Sequence, residues 1–323
     1  LHLSLRRQRQ MCIRDSCVAD QYPACHPILA SLPKLTIHSW LTALQTERLE
    51  QKAQLITQRL ALCNRNWEDA FFITLARNFG FGLNGDAFET WAGLLPFRAM
   101  DKHRNDLFQI EAFFYGLAGL LEETFLKKEQ EDEYSLRLCK EFRYLQRKFE
   151  IGQGMDATLW RFLRLRPENF PHIRLAQLAY LYQKGDKLFS RLLEAETLAD
   201  VRTLLDARTS PYWENHYLFG RLSSQKEKAM GERSKDLIII NTVVPFLYTY
   251  GLHKADERMF ERAGRFLEEL KAEDNHIIRS WRDAGLPVGS AADSQALIQL
   301  RKEYCDKRKC LFCRFGYEYL RKK

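Results

Sequence analysis

Apolar residues recur at helical spacing along most of the chain, and charged positions fill the faces between them. Ile37, Trp40, Leu41 and Leu44, then Leu55, Ile56 and Leu60, trace one stripe of a long helix from Thr36, with Glu47, Arg48, Glu50 and Lys52 on its solvated side. Thr36 or Ser39 is placed to cap it. Trp67, Phe71, Leu75 and Phe79, spaced by four, predict a second helix after Asn66. It stops in residues 78–85, whose glycines and asparagines suit left-handed turns. Asp86 and Glu89 read as a capping box for a helix over 87–95. Residues 107–121 are strongly apolar, with Gln109 and Glu111 inside the run. Helical spacing returns over 134–148, 174–183, 187–193, 197–205, 235–250 (capped by Ser234), 255–271, 274–284 and 290–304. Residues 221–235 read as a loop.

Strand alternation is nearly absent and no period repeats. The pattern predicts an all-α, irregular multi-helix domain with no recognisable repeat, running from residue 36 to 323 and ending in a cysteine cluster. Residues 17–35 read as an irregular entry segment, because Pro23, Pro27 and Pro33 break any helix. The best membrane candidate, 237–250, is too short and carries Asn241 and Pro245, so a buried helix is expected and no membrane partner.

Charge alters the picture mainly at the ends. The net +8 is made of +6 in residues 301–323 and +3 in residues 1–16, which leaves the body near neutral. Residues 1–16 match no fold period and resemble translated sequencing-adapter sequence. They are expected to be an artefactual, disordered leader, with the true start of the gene product missing.

The sharpest chemistry lies near residue 310. Cys305, Cys310 and Cys313 form C-x4-C-x2-C, a spacing that brings thiolates around one soft metal ion or an iron–sulfur cluster. A closed site needs a fourth donor. Cys25, in the irregular Pro-Ala-Cys-His-Pro segment, is the expected one, with Cys63 and His26 as rivals. Zinc and an iron–sulfur cluster both remain open, although the charged loop Asp306 to Lys309 is unlike that of a ferredoxin electron carrier. Eight cysteines, a tight C-terminal trio with the others scattered, do not make a secreted disulfide framework, which points to a reducing, cytoplasmic compartment.

Two basic groups invite nucleic acid, DNA or RNA. Arg161, Arg164, Arg166 and Arg174 are interleaved with aromatics, and Lys307, Arg308, Lys309 and Arg314 surround the thiols. Arginines near Pro167 and Pro171 also suit a structural role at helix ends. The glycine-rich 78–85 turn reads as a helix connection, because no Lys-Ser/Thr follows it. His216 reads as a packed side chain. Glu122 with Glu123, and Asp101 with Asp106, read as surface charges, so no catalytic residue is expected in this chain by itself.

Several strings carry a family likeness: Ala76-Arg-Asn-Phe-Gly-Phe-Gly-Leu-Asn-Gly-Asp-Ala-Phe88, Phe162-Leu-Arg-Leu-Arg-Pro-Glu-Asn-Phe-Pro171, Ile240-Asn-Thr-Val-Val-Pro-Phe246, and residues 290–300 with the thiol trio. Over about residues 20–320 the chain resembles domain-of-unknown-function family 2851, found mainly in Bacteroidetes. The resemblance implies a longer N-terminus with a β-rich segment similar to PD-(D/E)XK nuclease cores. None of the carboxylates of such a core is present here. The likeness therefore implies a helical C-terminal portion, with that N-terminal domain as its partner. One early and three late cysteines also resemble the iron–sulfur staple of AddAB-type nucleases. The rival expectation is a protein-interaction scaffold without metal or catalysis.

Overall fold

The computed structural model describes residues 25–126 and 131–321. The expectations for residues 1–16, for 17–24 of the entry segment and for part of the acidic 128–133 stretch lie outside these. Helices dominate, and among the described residues the one sheet is the antiparallel pair His216–Leu218 and Arg221–Leu222. The all-α expectation holds, and no repeat is seen. No helix among the described residues is long and apolar enough to cross a membrane.

Where the pattern predicts one helical domain, the chain forms two compact units. One comprises residues up to Gln54 together with Tyr248–Lys323, and the other Leu55–Leu247. Helical periodicity cannot reveal this division, because the boundaries fall within the helices Lys34–Leu62 and Val244–Lys254.

In the Leu55–Leu247 unit, helix Trp67–Phe79 is capped by Asn66, whose side chain accepts from the Glu68 and Asp69 amides. The next helix is Gly85–Gly93, with Asn84 as its unassisted cap. The expected Asp86/Glu89 capping box is therefore corrected. Both carboxylates instead pair with Arg77, and Glu89 also meets Arg59. Charge partners in the two preceding helices, Arg77 and Arg59, outcompete a local amide. The connection is tight: a methyl at Gly80 would stand 2.4 Å from the Gly85 amide nitrogen.

Helix Glu232–Ile238 starts earlier than expected, without a Ser234 cap, and widens into a π turn at Ile239–Val243 before Val244–Lys254. The cause is Pro245, which has no N–H for the Asn241 carbonyl. Asn78 fills that gap, donating from Nδ2 to the Asn241 carbonyl at 3.1 Å and to Thr242 Oγ1 at 2.8 Å.

Around Trp91, Phe114, Tyr115, Trp213 and Phe219 the core is aromatic and closed. Trp91 and Trp160 donate their indole N–H groups to the Phe114 and Ala118 carbonyls, as most buried indoles do. His216 is packed, with Nδ1 2.9 Å from the Tyr212 carbonyl and its ring stacked on Tyr212. Asp106 caps Leu107–Leu117, Asp101 accepts from Tyr182, and Glu123 pairs with Arg143. These carboxylates do structural work.

Glu111 sits in the middle of this core, fully buried, and accepts from the Tyr134 hydroxyl. Ser210 and the Trp213 indole stand close, yet Glu111 Oε1 and Trp213 Nε1 complete no hydrogen bond. Burial raises the carboxyl from the ordinary 4.5 to about 7, against the opposing effect of those donors. In an unfolded chain the same group ionises near ~4.3. The folded state thus binds the proton more tightly. Stability is full below the unfolded value and is lost as pH rises through about 7. Urea unfolding at pH 5 and pH 8 is expected to show a contribution of about 2–3 kcal/mol lost from this group. Glu111→Gln should flatten that difference; an unchanged pH dependence would exclude the assignment.

Candidate metal centre

The thiol trio is delivered by a capped helix. Ser290 and Asp293 form a reciprocal capping box at the start of Ala291–Gln299, which continues as a π turn over Leu300–Cys305. A polar seam sets its position against the long helix Lys34–Leu62. Gln295 Oε1 accepts from Arg48 Nε at 2.6 Å and from Lys52 Nζ at 2.8 Å, while its amide donates to Glu273. One turn on, Gln299 donates to Glu47 Oε1 at 3.0 Å, and the Tyr304 hydroxyl donates to Glu47 Oε2 at 2.8 Å.

After Cys305 the chain turns back at Arg308, whose left-handed conformation (φ 52°) brings the Lys309 amide to the Tyr304 carbonyl at 2.8 Å. Cys310–Phe312 is a single 3-10 turn, closed by the Cys313 amide on the Cys310 carbonyl at 3.3 Å. The helix Arg314–Arg321 follows, an element the sequence pattern missed beyond the thiols. Its short amphipathic repeat, Phe315 and Gly316 inward with Tyr317 outward, was the available signal.

Cys25 joins this group. The entry segment is less irregular than expected: Pro27 opens the short helix His26–Leu29, and the long helix starts at Lys34, directly after Pro33. Proline at a first turn forfeits no intrahelical bond, so it begins helices there instead of breaking them. Thr36 and Ser39 therefore lie inside the helix. Cys25 is buried in the same apolar cluster as Cys313, among residues such as Leu29, Leu41, Trp281, Leu297 and Phe315, and Cys305 packs against it. Cys310 is exposed.

Electrostatics report the same proximity. Burial pushes the Cys25 thiol up to about 12, with further upward pushes from Cys313 and Cys310. Burial likewise raises Cys305 to about 12, and Cys313, Cys25 and Cys310 add to it while Arg301 opposes. Cys313 is raised by burial, but three donors pull the other way: the Gly316 and Phe315 amides and the Trp40 indole. The Trp40 N–H is buried and completes no hydrogen bond, although it stands near enough to the Cys313 sulfur to favour a thiolate. A neutral thiol is a weak acceptor. These donors favour a thiolate at Cys313, while burial outweighs them and leaves the thiol raised.

The sulfurs are within one another's electrostatic reach, yet no three His, Cys, Asp or Glu side chains among the described residues are drawn up as a metal-holding group. Of the rival donors, His26 is half-buried beside Cys25. Cys63 belongs to the Leu55–Leu247 unit, where its electrostatic neighbours are Asp69 and Arg59.

The basic residues divide. Lys307, Arg308, Lys309 and Arg314 are exposed; Lys307 pairs with Glu303 at 2.5 Å and Arg314 with Glu318 at 3.4 Å. In the other unit Arg161, Arg164 and Arg166 are also exposed, with Arg161 held through its backbone by both ends of the Asn84 amide. Arg174 is corrected. It is 6% exposed, donates to Gln177 and Asn169, and lies over the Phe81 ring at 4.4 Å. Its guanidinium is spent on the core, so it cannot meet a phosphate.

A family model described as "Protein of unknown function (DUF2851)" matches residues 1–276. The matched span includes Cys25 and stops before Cys305, short of the 320 or so suggested by the strings above. No curated protein and no solved structure matches.

Gly316 governs the geometry of the thiol turn, since an added methyl would stand 2.3 Å from the Cys310 carbonyl oxygen. Gly316→Ala is expected to cost about 1–3 kcal/mol in urea unfolding, as overpacking against backbone does. Gly264→Ala, in helix Glu257–Glu269 with open space around it, should instead be neutral or stabilising by roughly 0.5–1 kcal/mol. Equal effects of the two substitutions would remove Gly316 from this role.

Proposed function

Since this chain belongs to the DUF2851 family, whose description names no activity, we propose that it is a helical, nucleic-acid-associated module built around a structural four-cysteine metal centre. Cys25, Cys305, Cys310 and Cys313 are the ligands. The observation that carries the reading is the burial of Cys25 and Cys313 in one apolar cluster, with the Trp40 indole and two backbone amides near the Cys313 sulfur.

Soft thiolate donors suit zinc or an iron–sulfur cluster, and neither would need an open coordination position. The group, when bound, supplies a cation that offsets thiolate repulsion and joins the entry segment to the C-terminal turn. Trp40, Phe315 and Gly316 would orient and stabilise the sulfur, and the surrounding leucines and Trp281 would exclude water. The exposed Lys307, Arg308, Lys309 and Arg314 then surround a rigid knuckle, a setting that favours phosphate contact over catalysis. Arg161, Arg164 and Arg166 provide a second exposed basic group for the same class of partner. In this reading the module works in the cytoplasm, where thiols remain reduced, beside a nuclease-like domain of the same protein.

Metal analysis and ultraviolet–visible spectra of the purified chain separate the two fillings: visible absorption indicates a cluster, and colourless protein with stoichiometric zinc indicates the knuckle. Cys310→Ser should bring bound metal to background and lower the melting temperature by roughly 5 °C or more, as losing a few kcal/mol would. Unchanged metal content and stability would reject the centre. Affinity for duplex DNA should fall with salt by a log–log slope of about 0.9 per phosphate met, and binding insensitive to salt would reject the nucleic-acid role.

A further inference from the structure

Beside Cys313 lies a groove of about 780 Å³ whose lining includes Trp40, Leu311, Phe312, Arg314 and Tyr317. That volume is within the range of small-ligand sites. Its walls are unusual for a surface. Phe312 is 78% exposed, Leu311 75% and Tyr317 50%. Three large apolar side chains are thus left in solvent on neighbouring turns, whereas the aromatics of this chain are mostly buried. Each is held by its backbone: the 3-10 turn carries Leu311 and Phe312, and the Tyr317 amide donates to the Cys313 carbonyl at 2.8 Å. Phe312 and Tyr317 are therefore presented, not merely unburied.

Cations flank these side chains. Glu303 offsets Lys307, Glu318 offsets Arg314, and Asp306 pairs with Arg301 at 2.7 Å. Arg308 and Lys309 make no ion pair among the described residues, so net positive charge remains on the turn that leads into Leu311 and Phe312 of the groove wall. An exposed aromatic platform with uncompensated cations beside it matches the chemistry of an unpaired strand. Bases there offer open faces to stack, and phosphates track the basic rim. A duplex hides its base faces, and an apolar peptide has no use for the charge.

We infer that this groove binds single-stranded nucleic acid, with a base stacked on Phe312 and the backbone phosphates met by Arg308, Lys309 and Arg314. The inference rests on the nucleic-acid reading above and names its substrate class. Any strand can stack, so little dependence on base sequence is expected.

The test uses the full chain with its metal content measured, a labelled fifteen-nucleotide oligothymidine, and a duplex of equal length, at low salt. Oligothymidine should bind more tightly than duplex. Phe312→Ala should weaken it by about 5- to 100-fold, the range that loss of one stacked base gives, with melting temperature and metal content unchanged. Phe312→Trp should retain affinity, which separates stacking from a folding effect. Arg308→Ala with Lys309→Ala should lower the salt slope by about 0.7 per lost contact. Equal affinity for both forms, or no effect of Phe312→Ala while the double variant weakens both, overturns the single-strand inference and leaves the broader reading in place. Absence of binding to either probe at low salt overturns both.

Discussion

Two sulfur atoms buried against the same leucines and aromatics constrain one whole unit of this protein. Cys25 and Cys313 come from opposite ends of the described chain yet share an apolar cluster, and everything between them must close that distance. The Gln295 seam does so on one side: its amide holds Arg48, Lys52 and Glu273 together, which fixes where the helix after Ser290 delivers Cys305. On the other side Gly316 lets the last helix lie directly on the Cys310 carbonyl. Buried polar networks of this kind are costly unless satisfied, and they specify one arrangement when they are.

The chemistry open to these thiols follows from competing effects on the same atoms. Burial and mutual repulsion oppose thiolates at Cys25 and Cys305, while amides and an indole favour one at Cys313. A cation changes the sign of the repulsive contribution and leaves the donors in place. The surface next to these thiols differs from their buried surroundings in kind, with cations and exposed aromatic rings in water.

Aromatic packing dominates the other unit, and its polar exceptions are instructive. Asn78 replaces a hydrogen bond that Pro245 cannot make, whereas Glu111 retains an oxygen with no partner. The first is a local fault repaired at long range. The second leaves a proton equilibrium inside the core.

Helix content and the close spacing of the thiol trio were legible in the sequence, because apolar periodicity and short cysteine spacing are local signals; that Cys25 shares an apolar cluster with Cys313 is a fact of the fold. Asn66 and Ser290 could be read as helix starts for the same reason. The fate of Asp86 and Glu89 was not legible: their partner Arg77 lies a turn and a connection away, and capping loses to two ion pairs. Nor could Arg174 be told from its exposed neighbours, since only packing over Phe81 decides that its charge faces inward. The division into two units was hidden too, because long helices run through both boundaries without a break in period. Sequence alone thus determined which segments coil and where the thiols of the trio lie along the chain. Tertiary contacts decided which charges remain available to a partner, because burial is a property of neighbours that the chain brings together only on folding.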